Sequence, residues 1–253
     1  MLFQLVHYLS LKNQGYKPVF IDTLIKPNLI TRLLGWKIHD QIYHDVFKDL
    51  GVVVKNQSII KTALIMVLGK ISQLLKTPVS STYFFSDSFK ERYLITNKHI
   101  FGYFQSKRYL ELNQKEIQQI AKSLQKRYLS NKHTVTYVAV HYRYGDSVWA
   151  KEHEDYYTTV KQNIEQNKDV IVITDSEKRA KEFFKDLEFN SLKVMSNTPK
   201  LDFSYMLGAK ELHCAPSTFS WWAAHCMSNT KSVYFPQFLK NKLGFYGEAE
   251  LKQ

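Results

Sequence analysis

A chain of 253 residues, 44% of them hydrophobic, can bury one large core or two small ones, and this excludes an intrinsically disordered protein. The formal net charge of +12 is unevenly placed: residues 1–130 hold 19 Lys and Arg against 8 Asp and Glu, and residues 131–253 hold 16 against 15. Two cysteines, Cys214 and Cys226, are too few and wrongly spaced for a disulfide scaffold or a zinc site, so a reducing cytoplasm fits best.

In chain order, the N-terminus lacks the basic, apolar, small-residue order of a signal peptide and reads as a short amphipathic helix ending near Gly15. Residues 17–22 read as a strand, 40–50 as a helix and 52–54 as a second strand. Residues 59–75 carry apolar side chains at helical spacing: Ile60, Leu64, Val67, Leu68, Ile71 and Leu75. The favoured reading is a core face; with Lys55, Lys61, Lys70 and Lys76 nearby, an in-plane membrane contact is the alternative. The stretch is too short and too charged to span a bilayer. Residues 76–108 are aromatic-rich and irregular, residues 114–129 form a helix, and residues 130–133 mark the boundary between two domains, 1–130 and 131–253.

From residue 131 onward short β-rich runs alternate with helical patterns, which predicts parallel strands joined by helices. Strands are expected at 135–141, 170–174, 192–195, 211–214 and 232–235, with helices at 156–167, 177–187, 203–209 and 219–227. All the loops after these strands open on one edge, where ligands of an open α/β sheet bind.

Three groups of residues at that edge carry chemistry. The first strand ends in His141, Arg143 and Asp146. Either Arg143 and Asp146 pair at a strand end, or Arg143 sets its guanidinium fork against a diphosphate with His141 as a second donor. Such charge-assisted bonds contribute roughly 1.5 to 3 kcal/mol each. Asp175 ends the next strand, either as a helix cap or as an acceptor for ribose hydroxyls or a base edge. The segment from Ala215 to Ala224 holds Pro216 to stop a strand and Ser217 or Thr218 to cap a helix. Of its adjacent tryptophans, one is expected to pack inward and one toward a neighbouring domain or cleft. Glu152, Glu154 and Asp155 read as a solvated acidic loop, with metal ligation or general-base work as the alternative. No Asp-x-Asp, P-loop or Gly-x-Gly-x-x-Gly is present.

Taken together, His-Tyr-Arg-Tyr-Gly-Asp at residues 141–146 resembles the His-x-Arg-Arg-x-Asp motif of the α-1,2-, α-1,6- and protein O-fucosyltransferases. Pro-Ser-Thr-Phe-Ser-Trp-Trp-Ala-Ala at residues 216–224 resembles the C-terminal motif of the bacterial α-1,2-fucosyltransferases of glycosyltransferase family 11. Asp155-Tyr156-Tyr157, Thr174-Asp175-Ser176, and Asp202-Phe203 with Met206 are similar to the family as well, and the likeness covers the second half far better than the first.

The resemblance implies a GT-B-like fold of two Rossmann-type doubly wound domains. It further implies metal-independent, inverting transfer of fucose or a related deoxysugar from a GDP-sugar, without other cofactor, to a glycan or lipid-linked oligosaccharide acceptor in surface polysaccharide synthesis. The donor would lie in the C-terminal domain and the acceptor on the N-terminal one. His141 and Arg143 would hold the diphosphate and Asp175 the guanosine. Ser217, Thr218, Phe219 and Ser220 would line the phosphate and base pocket, and His141, Asp146 and Glu154 are the candidate bases. Such an enzyme would work in the cytoplasm, peripheral to an anionic inner membrane.

Two departures stand out. Family members open with a strand and a Gly-Gly-Leu-Gly-Asn-Gln turn, whereas this chain starts at Met1-Leu2-Phe3-Gln4, so the N-terminal domain is expected to lack its first strand. Tyr144 replaces the motif's second arginine, which removes a cation near the donor and leaves a ring able to hydrogen-bond or stack on the sugar or base. An altered donor, an inactive homologue and, more distantly, a basic nucleic-acid-binding protein are the competing functions.

Overall fold

The computed structural model describes residues 2–21, 42–55, 57–85, 91–102, 104–129, 136–144, 150–227 and 231–236. The chain divides into two units, Met1–Ile120 and Ala121–Gln253.

The first unit opens with α1 (Leu2–Asn13), which buries Phe3, Leu5, Val6 and Leu9. Gly15 stops it at φ +87°, a left-handed turn that L side chains seldom adopt. Next come β1 (Phe20–Ile21), α2 (Ile42–Asp49), β2 (Val54–Lys55) and α3 (Ile59–Leu75). The aromatic stretch forms β3 (Thr82–Phe84), α4 (Glu91–Thr96), β4 (His99–Phe101) and α5 (Lys107–Leu112). Among the described residues these strands form two separate parallel pairs, β1 with β2 and β3 with β4, rather than one doubly wound sheet. The unit is centred on aromatic packing: His7 stacks on Phe104 at 4.8 Å, Phe104 stacks on Phe85 at 4.6 Å, and the Tyr109 hydroxyl lies 2.8 Å from His7 Nδ1.

The core face expected of α3 is overturned. Ile60, Leu64 and Leu74 are 85%, 59% and 82% exposed, and Val67, Ile71 and Leu75 are exposed with them, whereas Thr62, Ile65 and Ser72 are buried. The helix lies against β3 through its small, partly polar side, and Ser72 Oγ accepts a hydrogen bond from Phe84 N at 3.1 Å. Periodicity locates an apolar stripe but not the surface that covers it.

Helix α6 (Gln114–Tyr128) runs across the division between the units, so its last two turns belong to the second. There Tyr128 meets Phe203 edge-on and Gln125 Nε2 donates to the Cys226 carbonyl. The expected boundary at residues 130–133 lies outside the described residues.

The second unit alternates β5 (Tyr137–Tyr142), α7 (Ala150–Asn163), β6 (Asp169–Thr174), α8 (Glu177–Phe184), β7 (Ser191–Met195), α9 (Pro199–Gly208), β8 (Glu211–His213), α10 (Thr218–Cys226) and β9 (Ser232–Tyr234). All five strands pair in parallel, in the order β7-β6-β5-β8-β9, which makes this unit an α/β domain. The central strand β5 is buried along its whole length, as its run of β-branched and aromatic residues requires. Val138, Val140 and Tyr142 pack on α7 and α8 through Tyr157, Val160, Ala180 and Phe184. The alternate residues face the other layer, where Tyr137 donates to the Tyr205 carbonyl of α9 and His141 meets Phe219 of α10.

Candidate functional site

Strand order reverses between β5 and β8: the chain builds outward from β5 to β7, then crosses back and builds outward the other way. At such a switch point the loops leaving the two strands diverge to opposite faces and leave a crevice at the carboxyl edge. The first predicted motif leaves β5 and the second leaves β8. They come together: the rings of His141 and Phe219 lie 5.8 Å apart, edge to face.

Helix α7 starts six residues ahead of the expected position, at Ala150, and brings two tyrosines to this edge. Tyr157, fully buried, donates to the His141 carbonyl at 2.8 Å and accepts from Arg143 N at 3.2 Å. Its neighbour Tyr156 donates to the Cys214 carbonyl at 2.9 Å. One helical turn therefore ties down the ends of both strands that flank the switch point. The sequence singled these tyrosines out only by resemblance; their spacing from the strand carries no signal of the bonds they make.

His141 is buried, and its Nδ1 has no hydrogen-bond partner among the described residues. Burial first, and the Arg143 charge second, lower its pKa from 6.5 to about 3, with Asp175 opposing weakly. The imidazole is neutral at pH 7, so it can donate one hydrogen bond but adds no positive charge and is a weak base. Because the folded pKa lies below the unfolded one, the unfolded chain takes up the proton first. Stability is expected to fall as pH drops from 6.5 toward 3, by about 1.4 kcal/mol per pH unit for this residue. Urea unfolding at a series of pH values should show a shallower acid loss for His141→Gln; equal slopes would mean that His141 titrates normally in the folded protein.

Arg143 is half-buried at the strand tip. Asp146 lies outside the described residues. Register sets Tyr142 beside Thr174, so Asp175 emerges next to Arg143. Asp175 is exposed, and its Oδ1 accepts from Tyr144 N at 3.1 Å. Ser176 occupies the N-cap of α8 instead, so the capping alternative for Asp175 gives way to one that ties β5 to β6.

Tyr144 stands where the family motif has an arginine, yet the place is not without a cation. Arg179 of α8 lays its guanidinium 3.3 Å from the centre of the Tyr144 ring, with Tyr142 stacked alongside at 6.1 Å. Nothing in the sequence marks Arg179, which sits in an ordinary charged helix; only the packing of α8 beside β5 reveals it.

On the β8 side of the switch point, Ser217 caps α10 by accepting from Phe219 N at 3.2 Å. Thr218 is exposed and Phe219 half-buried, both in the first turn. Ser220 is fully buried and turns inward, its hydroxyl donating to the Ala215 and Ser217 carbonyls at 3.0 and 3.2 Å. It shapes the turn rather than lining the opening. Trp221 and Trp222 are both buried, with their rings edge-on at 5.2 Å and 82° to each other. Trp221 stacks on His225 at 3.6 Å.

The acidic cluster expected in a loop lies on the first turns of α7, where Glu154 and Asp155 are exposed. Among the described residues no three His, Cys, Asp or Glu side chains gather as a metal-binding group. Both cysteines are free and buried, and burial pushes both thiols well above their usual range. Comparisons with protein-family models, with curated proteins and with solved structures find no match to this chain.

Proposed function

We propose that this protein is an inverting glycosyltransferase that moves fucose or a related deoxysugar from a GDP-sugar to a hydroxyl of a glycan or lipid-linked acceptor, and that the crevice between β5 and β8 holds the donor. The observation that carries this reading is the meeting of His141 and Phe219 across the switch point, which brings two motifs 75 residues apart in sequence into contact. A two-domain GT-B-like organisation accompanies the proposal, with the donor on the second unit and the acceptor on the first.

In this reading the acceptor oxygen attacks the anomeric carbon from the face opposite the diphosphate. The bond from that carbon to the β-phosphate oxygen breaks, and GDP leaves with the electron pair. Arg143 offsets the charge gathering on the departing diphosphate. His141, neutral, contributes one N–H at most. The Arg179 guanidinium, held on Tyr144, supplies the second cation that the motif otherwise lacks. Asp175, with one oxygen engaged by Tyr144 N, meets the nucleoside. The acceptor proton passes to Asp146, Glu154 or water, since His141 is too weak a base in its buried setting.

Purified full-length protein is expected to melt several degrees higher with GDP or GDP-fucose than alone, and to be indifferent to UDP and UDP-glucose. With acceptor present it should release GDP from a GDP-sugar in EDTA. Stabilisation by UDP-sugars in place of GDP-sugars, or by neither, would sink the donor assignment.

A further inference from the structure

We propose that α3 is a membrane-docking element: its outward apolar stripe lies in the interfacial region of an anionic lipid bilayer, with Lys61 and Lys70 reaching the headgroups. The inference stands apart from the donor-site reading and needs no turnover to be tested.

Its first ground is exposure. Ile60, Leu64, Val67, Ile71, Leu74 and Leu75 are between 39% and 85% exposed, and they recur at helical spacing on the side opposite the buried Thr62, Ile65 and Ser72. On a helix of 3.6 residues per turn they form one continuous stripe, about 100° wide and ~22 Å long. A soluble surface seldom carries so many large apolar side chains side by side, and such patches mark contact surfaces.

The second ground is the charge at the borders of that stripe. Lys61 and Lys70, both exposed, fall on opposite sides of it, each roughly 80–100° from its centre. There is no Asp or Glu between residues 50 and 86, while Lys55, Lys61, Lys70 and Lys76 fall within that span. The unit as a whole holds 16 Lys and Arg against 8 Asp and Glu. The positive field is felt locally: Lys98 and Lys61 add to burial in lowering the pKa of His99.

This combination selects among occupants. A second copy of α3 would set lysines against lysines at both borders, with no carboxylate on the helix to pair them. A nucleic acid would meet the lysines and leave the apolar stripe in water. An anionic bilayer satisfies both, because lysine stems lie along the apolar surface while their ammonium groups reach lipid phosphates. No described helix is long and apolar enough to cross a membrane, so α3 would lie in the plane of the surface.

The test is flotation of the full-length protein with phosphatidylcholine vesicles, with and without phosphatidylglycerol. The protein should float only with the anionic vesicles, and less so as salt rises. Leu64→Gln combined with Leu74→Gln should cut binding at least ~tenfold. Both side chains are exposed, so far-UV circular dichroism and melting should not change. Lys61→Gln combined with Lys70→Gln should weaken binding by about fivefold per lysine and flatten the salt dependence. Absence of binding by the parent protein, or undiminished binding by the leucine variant, would overturn the proposal. A lipid-free dimer that the leucine variant converts to monomer would likewise overturn it, by assigning the stripe to a second copy.

Discussion

Arg143→Ala is expected to lower kcat/KM for GDP-sugar transfer by ~10²–10³ while moving the melting temperature by no more than ~2 °C. The two numbers separate a ligand-binding role from a structural one. The backbone of Arg143 is held by Tyr157, through an N–H that every replacement except proline keeps, so β5 should end in the same place without the guanidinium. In the proposed reaction the guanidinium would face the charge that develops on the departing diphosphate, and transition-state charge is where a single preorganised donor has its largest effect. A fall in melting temperature of 5 °C or more would instead place Arg143 among the residues that hold the strand end together. Arg179→Ala is a useful companion. Its guanidinium rests on the Tyr144 ring just past the end of β5, so in the proposed donor site it should raise KM with a smaller change in kcat.

Tyr157→Phe is the second large effect, this time on stability. The Tyr157 hydroxyl is buried and makes two hydrogen bonds, donating to the His141 carbonyl and accepting from Arg143 N. Burial also raises its pKa, which keeps the phenol protonated and able to donate. Removing one oxygen leaves a carbonyl and an N–H without their partner at the end of the central strand. Such a loss costs about 1–3 kcal/mol, or roughly 3–8 °C in melting temperature. The ring itself remains, packed against Tyr142 at 4.6 Å, so no cavity opens and the change reports on the hydrogen bonds alone. Chemical denaturation of the single variant measures it. Stability equal to that of the parent would show that water takes over both bonds.

Both predictions concern one strand end, and the two halves of the chain differ in how far such a site could be read in advance. In the second unit each strand is a short run of Val, Ile, Leu or Tyr separated by helical spacing and turn residues, and these signals are local. All five strands and the four helices between them are where the residues imply, with bounds that differ by a few positions. The exception is α7, which begins earlier because Ala150 to Asp155, though highly charged, has no helix breaker in it. In the first unit the strands are two or three residues long. Runs that short carry no periodicity, so in the sequence β3 and β4 show only an irregular, aromatic-rich pattern.

The parallel β/α alternation after residue 131 and the places of the two polar loops that follow β5 and β8 are legible in the residues alone. These follow from propensity and side-chain period, which act over a few residues. Tertiary structure decided the rest. It set the order β7-β6-β5-β8-β9, which makes β5 and β8 neighbours at the switch point and brings His141 to Phe219. It buried His141 and so made it neutral, it laid Arg179 over Tyr144, and it recruited Tyr156 and Tyr157 to hold the strand ends. It also turned the apolar stripe of α3 outward, because Ser72 and its small neighbours fit the edge of β3. The reason is common to all of these: a residue's desolvation, charge state and partners depend on segments distant along the chain, and a local pattern holds no record of them.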